Sequence, residues 1–83
     1  MTNTQTHQII NIHHEPEYLT TVTFNYYGNP YAISHIGNLN GIDSYCVNSV
    51  NNNEYYEYLA ADCDFIVDLL KNNPHINDAL RSK

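Results

Sequence analysis

Residues 54–71 read Glu54-Tyr55-Tyr56-Glu57-Tyr58-Leu59-Ala60-Ala61-Asp62-Cys63-Asp64-Phe65-Ile66-Val67-Asp68-Leu69-Leu70-Lys71, and how this stretch folds decides the architecture. At about 100° per residue, Tyr56, Leu59, Cys63, Ile66, Val67 and Leu70 fall on one wide face, which predicts a single helix over about 54–71. Asn51-Asn52-Asn53 precedes it as a loop, with Glu54 three residues after Asn51 in an Asn version of the capping box. Asn72-Asn73-Pro74 stops it, because proline cannot continue a helix and biases Asn73 away from the α region. A short final helix over about 75–80 follows, with Asn73 as its cap and Pro74 at the first helical position.

Two further features of the predicted helix bear on function. Glu54, Glu57, Asp64 and Asp68 fall within a sector of about 80°, as a stripe whose steps rise about 4.5, 10.5 and 6 Å along the axis. Tyr58, Phe65 and Leu69 form a second apolar sector, about 40° wide, on the other side of that stripe. Either the final helix folds back over this sector, or it is a homodimer interface or a partner site.

Upstream, the patterning is that of strands. Residues 8–14 (QIINIHH) are β-branched and stop at Pro16; residues 18–27 (YLTTVTFNYY) place Tyr18, Thr20, Val22, Phe24 and Tyr26 on one face, the expected core side. Gly28-Asn29-Pro30 supplies a turn into a strand over 31–36, and residues 37–41 (GNLNG) supply a second turn. A fourth strand over 42–50 has Ile42, Cys46 and Val50 on one face and Tyr45 and Val47 on the other. The expected fold is α+β: one domain spanning 1–83, with a three- to four-stranded antiparallel sheet covered by one main C-terminal helix, plus a short final helix.

The chain has 83 residues and a net charge of −6, from nine Asp and Glu against three Lys and Arg. Lys71, Arg81 and Lys83 are its only Lys and Arg, so residues 1–70 carry eight acids and neither of these cations. Affinity for DNA or RNA comes from cations that neutralise phosphates, so direct nucleic-acid binding is not expected. No apolar run approaches the ~20 residues of a membrane helix, and the first eight residues lack a basic and an apolar signal region. A cytoplasmic location is expected, with Cys46 and Cys63 as reduced thiols.

The chemistry-bearing residues form no specific motif. His13, His14, Glu15 and Glu17 are metal-ligand types, but consecutive strand residues point to opposite faces, so no metal site is expected. His35 comes near Asp43 or Cys46 if the third and fourth strands pair, giving the residue types of a Cys-His-Asp nucleophile set. Nothing nearby is placed to lower the thiol pKa or build an oxyanion site. Neither G-x-x-x-x-G-K-[ST] nor G-x-G-x-x-G occurs, and Asp62 and Asp64 lack the rest of a calcium loop. No cofactor is expected, and the chain is not expected to be an enzyme.

Surfaces remain. Tyrosine carries interface energy at small entropic cost and carboxylates steer basic partners, so Glu54, Tyr55, Glu57, Tyr58, Asp64 and Asp68 are the candidate partner-binding residues. The steps of the stripe are on the order of phosphate spacing, which suits a basic groove that otherwise holds DNA or RNA. In overall profile, without an aligned motif, the chain resembles the small acidic inhibitors that phages make against bacterial defence systems, including anti-CRISPR and anti-restriction proteins. The resemblance implies a non-enzymatic inhibitor acting in the host cytoplasm, which binds a CRISPR effector or another nucleic-acid-handling complex and blocks it. The alternative is a homo-oligomeric structural or regulatory subunit of a larger bacterial or viral assembly, a homodimer joined through Tyr58, Phe65 and Leu69.

Overall fold

Two tight turns organise the sheet. Tyr27-Gly28 and Asn40-Gly41 both have positive φ at each residue, 50° and 87° in the first pair and 56° and 86° in the second. This is the conformation of two-residue hairpin turns whose twist matches that of the flanking strands. In each, an asparagine side chain three residues before the glycine accepts its N–H: Asn25 Oδ1 from Gly28 and Asn38 Oδ1 from Gly41, both at 2.8 Å.

The computed structural model describes residues 7–14, 19–52 and 56–81. The strands are β1 (Ile9–His14), β2 (Thr20–Tyr26), β3 (Asn29–Leu39), β4 (Ile42–Ser49) and β5 (Tyr56–Ala60), followed by the helices α1 (Asp64–Asn72) and α2 (Pro74–Arg81). The fold is α+β, with one five-stranded antiparallel sheet in the order β1-β2-β3-β4-β5 and both helices after it.

Registers fix the faces. Val22 lies opposite Ile33 and Ile33 opposite Val47, so these three share the helix-bearing face with Phe24 and Tyr45. Ile66 and Leu69 of α1 and Ile76, Ala79 and Leu80 of α2 close the core over them. The expected core side of β2 is correct, with Val22 and Phe24 fully buried. α2 covers the core beside Leu69, but the sector that it was expected to cover is not one surface, because Tyr58 lies on the other face of the sheet.

The sheet has five strands rather than three or four, and the predicted 54–71 helix is two elements. Tyr56–Ala60 is a strand, Ala61-Asp62 turn, and α1 begins only at Asp64 with Cys63 in extended conformation as its N-cap. The cause is long-range. β4 would otherwise present a row of unpaired backbone groups, and the Tyr-rich segment suits a pleated surface. It pairs with β4 at Cys46↔Tyr58 and Val47↔Glu57, and Ala61 N–H extends the contact to Asp43 C=O at 2.7 Å. Leu59, Cys63 and Ile66 meet the core in this arrangement as they would on one helix, which is why the helical period looked continuous. Val67, assigned to the buried face by that period, is 44% exposed, because Ile66 and Leu69 are the α1 residues turned inward.

Other boundaries shift for local reasons. The first turn is Tyr27-Gly28, so Asn29 and Pro30 already belong to β3. A bulge between His35 and Gly37 lets β3 run on through Leu39, moving the second turn to Asn40-Gly41. β4 ends at Ser49, and Val50–Asn52 forms a single 3₁₀ turn.

Candidate partner-binding site

Asp64 stands in the first turn of α1, where a carboxylate complements the positive end of the helix dipole, and Asp68 stands one turn on. Residues four apart share a helix face, and both carboxylates are exposed. Glu57 and Tyr58 lie instead on β5 and, being adjacent, point to opposite faces. Glu57 sits across from Val47 on the helix-bearing side, whereas Tyr58 sits across from Cys46 on the other side and is 63% exposed. Glu54 and Tyr55 lie outside the described residues. The four acids therefore do not form one helical stripe, and phosphate-like spacing along a single axis is lost at the turn between Ala60 and Asp64. The proposed subunit contact is dispersed as well, since Leu69 is a core residue and Tyr58 faces away from the helices.

Asp68 borders a feature that the linear sequence does not reveal. A half-open cleft of about 510 Å³ lies where α1 meets the turn between β2 and β3. Tyr26, Tyr27 and Phe65 supply aromatic walls, Asp68 and Asn72 the helical side, and Leu69 and Asn73 also line it. Tyr26 holds the walls together through ring contacts with Tyr27 at 4.7 Å, Tyr31 at 5.1 Å and Phe65 at 5.8 Å, all near edge-to-face. Burial, reinforced by Tyr27 and Tyr31, pushes the Tyr26 phenol above its ordinary pKa of 10.0.

His7 completes the cleft and is clamped by the junction of the two helices. Asn73 Oδ1 accepts the His7 backbone N–H at 2.8 Å, and His75 Nε2–H donates to His7 C=O at 2.7 Å. Asn73 Nδ2 meanwhile donates to Leu69 C=O at 2.8 Å, satisfying an end carbonyl of α1. Asn73 does stand at the cap position of α2, with Pro74 as the first helical residue, but both polar atoms of its side chain are committed elsewhere. Its backbone carbonyl accepts from Ile76 at 2.9 Å instead.

The His7 ring packs 5.0 Å from Tyr26 and 4.9 Å from Tyr27. Burial first, then the neighbouring His75, lowers its pKa below 6.5, partly offset by a backbone hydrogen bond with Asn25. The unfolded chain thus binds more protons in the window just below pH 6.5. Stability from neutral His7 is full above that value and declines as pH falls through the window. Urea midpoints measured between pH 7.5 and 5.5 are expected to drop more steeply for the natural chain than for His7→Gln. Equal slopes would exclude His7 as the source.

The histidine of the nucleophile set does pair with Asp43, His35 Nε2 lying 2.6 Å from Asp43 Oδ1, with the ring 4.7 Å from Tyr45. Cys46 cannot join them. His35 lies opposite Tyr45 and Cys46 opposite Ser34, so thiol and imidazole occupy opposite faces of the sheet. Burial also raises the Cys46 pKa above 9.0, which disfavours the thiolate a nucleophile requires. Cys46 and Cys63 are both free.

His13 and His14 sit opposite Thr21 and Thr20 and so face opposite ways, while Glu15 and Glu17 lie outside the described residues. Among the described residues, no three His, Cys, Asp or Glu side chains are grouped to hold a metal, and no helix is long and apolar enough to cross a membrane. Compared with known proteins, the chain matches no family model, no curated sequence and no solved structure.

Sequence reasoning missed His7, Tyr26, Tyr27, Phe65 and Asn73 as neighbours of one cleft. A local signal exists at Tyr27-Gly28, since the first position of such a turn ordinarily takes Asn, Asp or Gly.

Proposed function

We propose that this chain is a small, non-enzymatic protein-binding inhibitor that docks on a basic protein surface. The observation that carries the proposal is the pairing of Asp64 and Asp68 on one exposed face of α1, in a chain with no Lys or Arg before residue 71. Electrostatic complementarity of this kind speeds encounter with a positive partner and repels negative ones. The partner class proposed is a complex that handles nucleic acid, a CRISPR effector or a similar assembly, whose positive channel would be covered in the host cytoplasm. This follows the profile resemblance to phage-made, anti-CRISPR-like inhibitors. Inhibition in this reading comes from an acidic surface on two elements, β5 and α1, with Glu57, Asp64 and Asp68 as contact residues and Glu54 and Tyr55 just upstream of β5, while Tyr58, on the other face of the sheet, takes no part in that surface.

The test is a comparison of the natural chain with Glu57→Lys, Asp64→Lys as bait in a bacterial lysate. Each replacement changes the charge by two, taking −6 to −2. The natural chain is expected to retain nucleic-acid-handling proteins that salt releases and added DNA or RNA displaces. The double variant is expected to lose at least about tenfold of that retention, about 1.4 kcal/mol, with an unchanged circular dichroism spectrum. Retention by the variant of the same proteins with the same salt dependence would show that the acids are only a solvated face.

A further inference from the structure

Tyr27 is an anomaly with a location. It occupies the left-handed region at φ 50°, which costs a residue other than glycine on the order of 1–2 kcal/mol, and it is 68% exposed. A tyrosine held there gains little from burial. What its position achieves is a ring that lines the cleft, braced against Tyr26 at 4.7 Å and His7 at 4.9 Å. Backbone strain maintained at a cleft is a pointer to binding.

Asp68 lines the same cleft. It has no ion-pair partner among the described residues, so its carboxylate is available to a ligand. Aromatic faces attract cations through their quadrupoles, and a carboxylate beside them adds charge and hydrogen-bond acceptors. The volume of about 510 Å³ falls within the range of ligand-binding pockets and admits a long side chain with its stem. A guanidinium suits the combination better than an ammonium. It is planar and weakly hydrated, it stacks on tyrosine, and it can engage one carboxylate through two donors.

We infer that the cleft bounded by Tyr26, Tyr27, Phe65 and Asp68 is a binding site for an arginine side chain of the protein partner. This rests on the docking reading above and deepens it: the acidic face of α1 draws in a basic surface, and the cleft anchors one of its arginines. The site accounts for an exposed tyrosine kept in a strained turn and for an Asp68 carboxylate with no ion-pair partner among the described residues.

Acetyl-Gly-Arg-Gly-amide is the probe, titrated against the intact chain while the aromatic NMR signals of Tyr26, Tyr27 and Phe65 are followed. Saturable shifts in all three are expected. The citrulline counterpart, uncharged and of the same shape, and the lysine counterpart are each expected to bind at least about fivefold more weakly. Asp68→Asn should weaken the arginine probe about tenfold, whereas Asp64→Asn, outside the cleft, should change it less than about twofold. Tyr27→Asn provides a variant that the turn favours. Its urea midpoint is expected to match or exceed that of the natural chain while the probe binds about fivefold more weakly.

Equal binding of the citrulline or lysine peptide, shifts that do not saturate, or unchanged binding by both Asp68→Asn and Tyr27→Asn would overturn the assignment. The two readings fail separately. Glu57 and Asp64 do not line the cleft, so arginine binding without retention of basic proteins would sink the docking reading alone. Retention without arginine binding would sink only the cleft.

Discussion

Phe24→Ala is expected to remove about 3–5 kcal/mol of stability, the usual cost of deleting a buried phenylalanine side chain. Phe24 is fully buried on the central part of β2, and its ring contacts Tyr26, Tyr31 and His7 at 6.2, 6.5 and 6.0 Å. The helices close over it through the same core that holds Ile33, Val47 and Ile66. A chain of 83 residues has a total stability of roughly 4–12 kcal/mol, so this single change takes about a quarter of it or more. Urea denaturation should show the midpoint falling by more than about 1 M. A loss under about 1 kcal/mol would mean that the helices do not pack on β2 as described.

Asn73→Leu is expected to cost about 2–3 kcal/mol without creating any cavity. The side chain is 2% exposed, and leucine has the same number and branching of heavy atoms with somewhat bulkier ends, but two backbone groups lose their partners: the His7 N–H and the Leu69 C=O. Burying an unsatisfied polar group costs on the order of 1–3 kcal/mol each, reduced where water reaches it. Hydrogen exchange gives the sharper readout. The His7 amide should lose its protection in the variant while amides in the centres of β2 and β3 keep theirs at matched global stability. Retained protection at His7 would mean that another acceptor holds this segment.

The hairpins were legible because their information is local. Alternation in 18–27 puts Val22 and Phe24 on the buried side, and Asn-x-x-Gly at 25–28 and 38–41 marks both turns once the asparagine side chain is recognised as the acceptor. The Phe65–Lys71 half of the long stretch was legible too, since it is helical by period and by environment. Its Tyr56–Ala60 half was not. Those residues are compatible with either period, and the deciding factor is the unpaired edge of β4, which no window centred on Tyr58 contains.

The candidate site divides in the same way. The acids could be identified from composition, and the Asp64–Asp68 pair lies on one face because four residues separate it. The cleft was hidden because it joins residue 7, the turn at 26–27 and the helix at 65–73. Only the sheet order and the clamp on His7 bring those segments together.

That sheet order also bears on how the molecule reaches its native state. Every strand pairs with the strand that precedes it in the chain, so each hairpin can form before the next and little loop-closure entropy is spent at any step. Such local topology favours rapid folding. The contacts that join Asn73 and His75 to His7 span 66 and 68 residues, and they can close only when the sheet and both helices exist. Completion of the cleft is thus a late event in folding, and the arginine site is assembled after the scaffold that carries it.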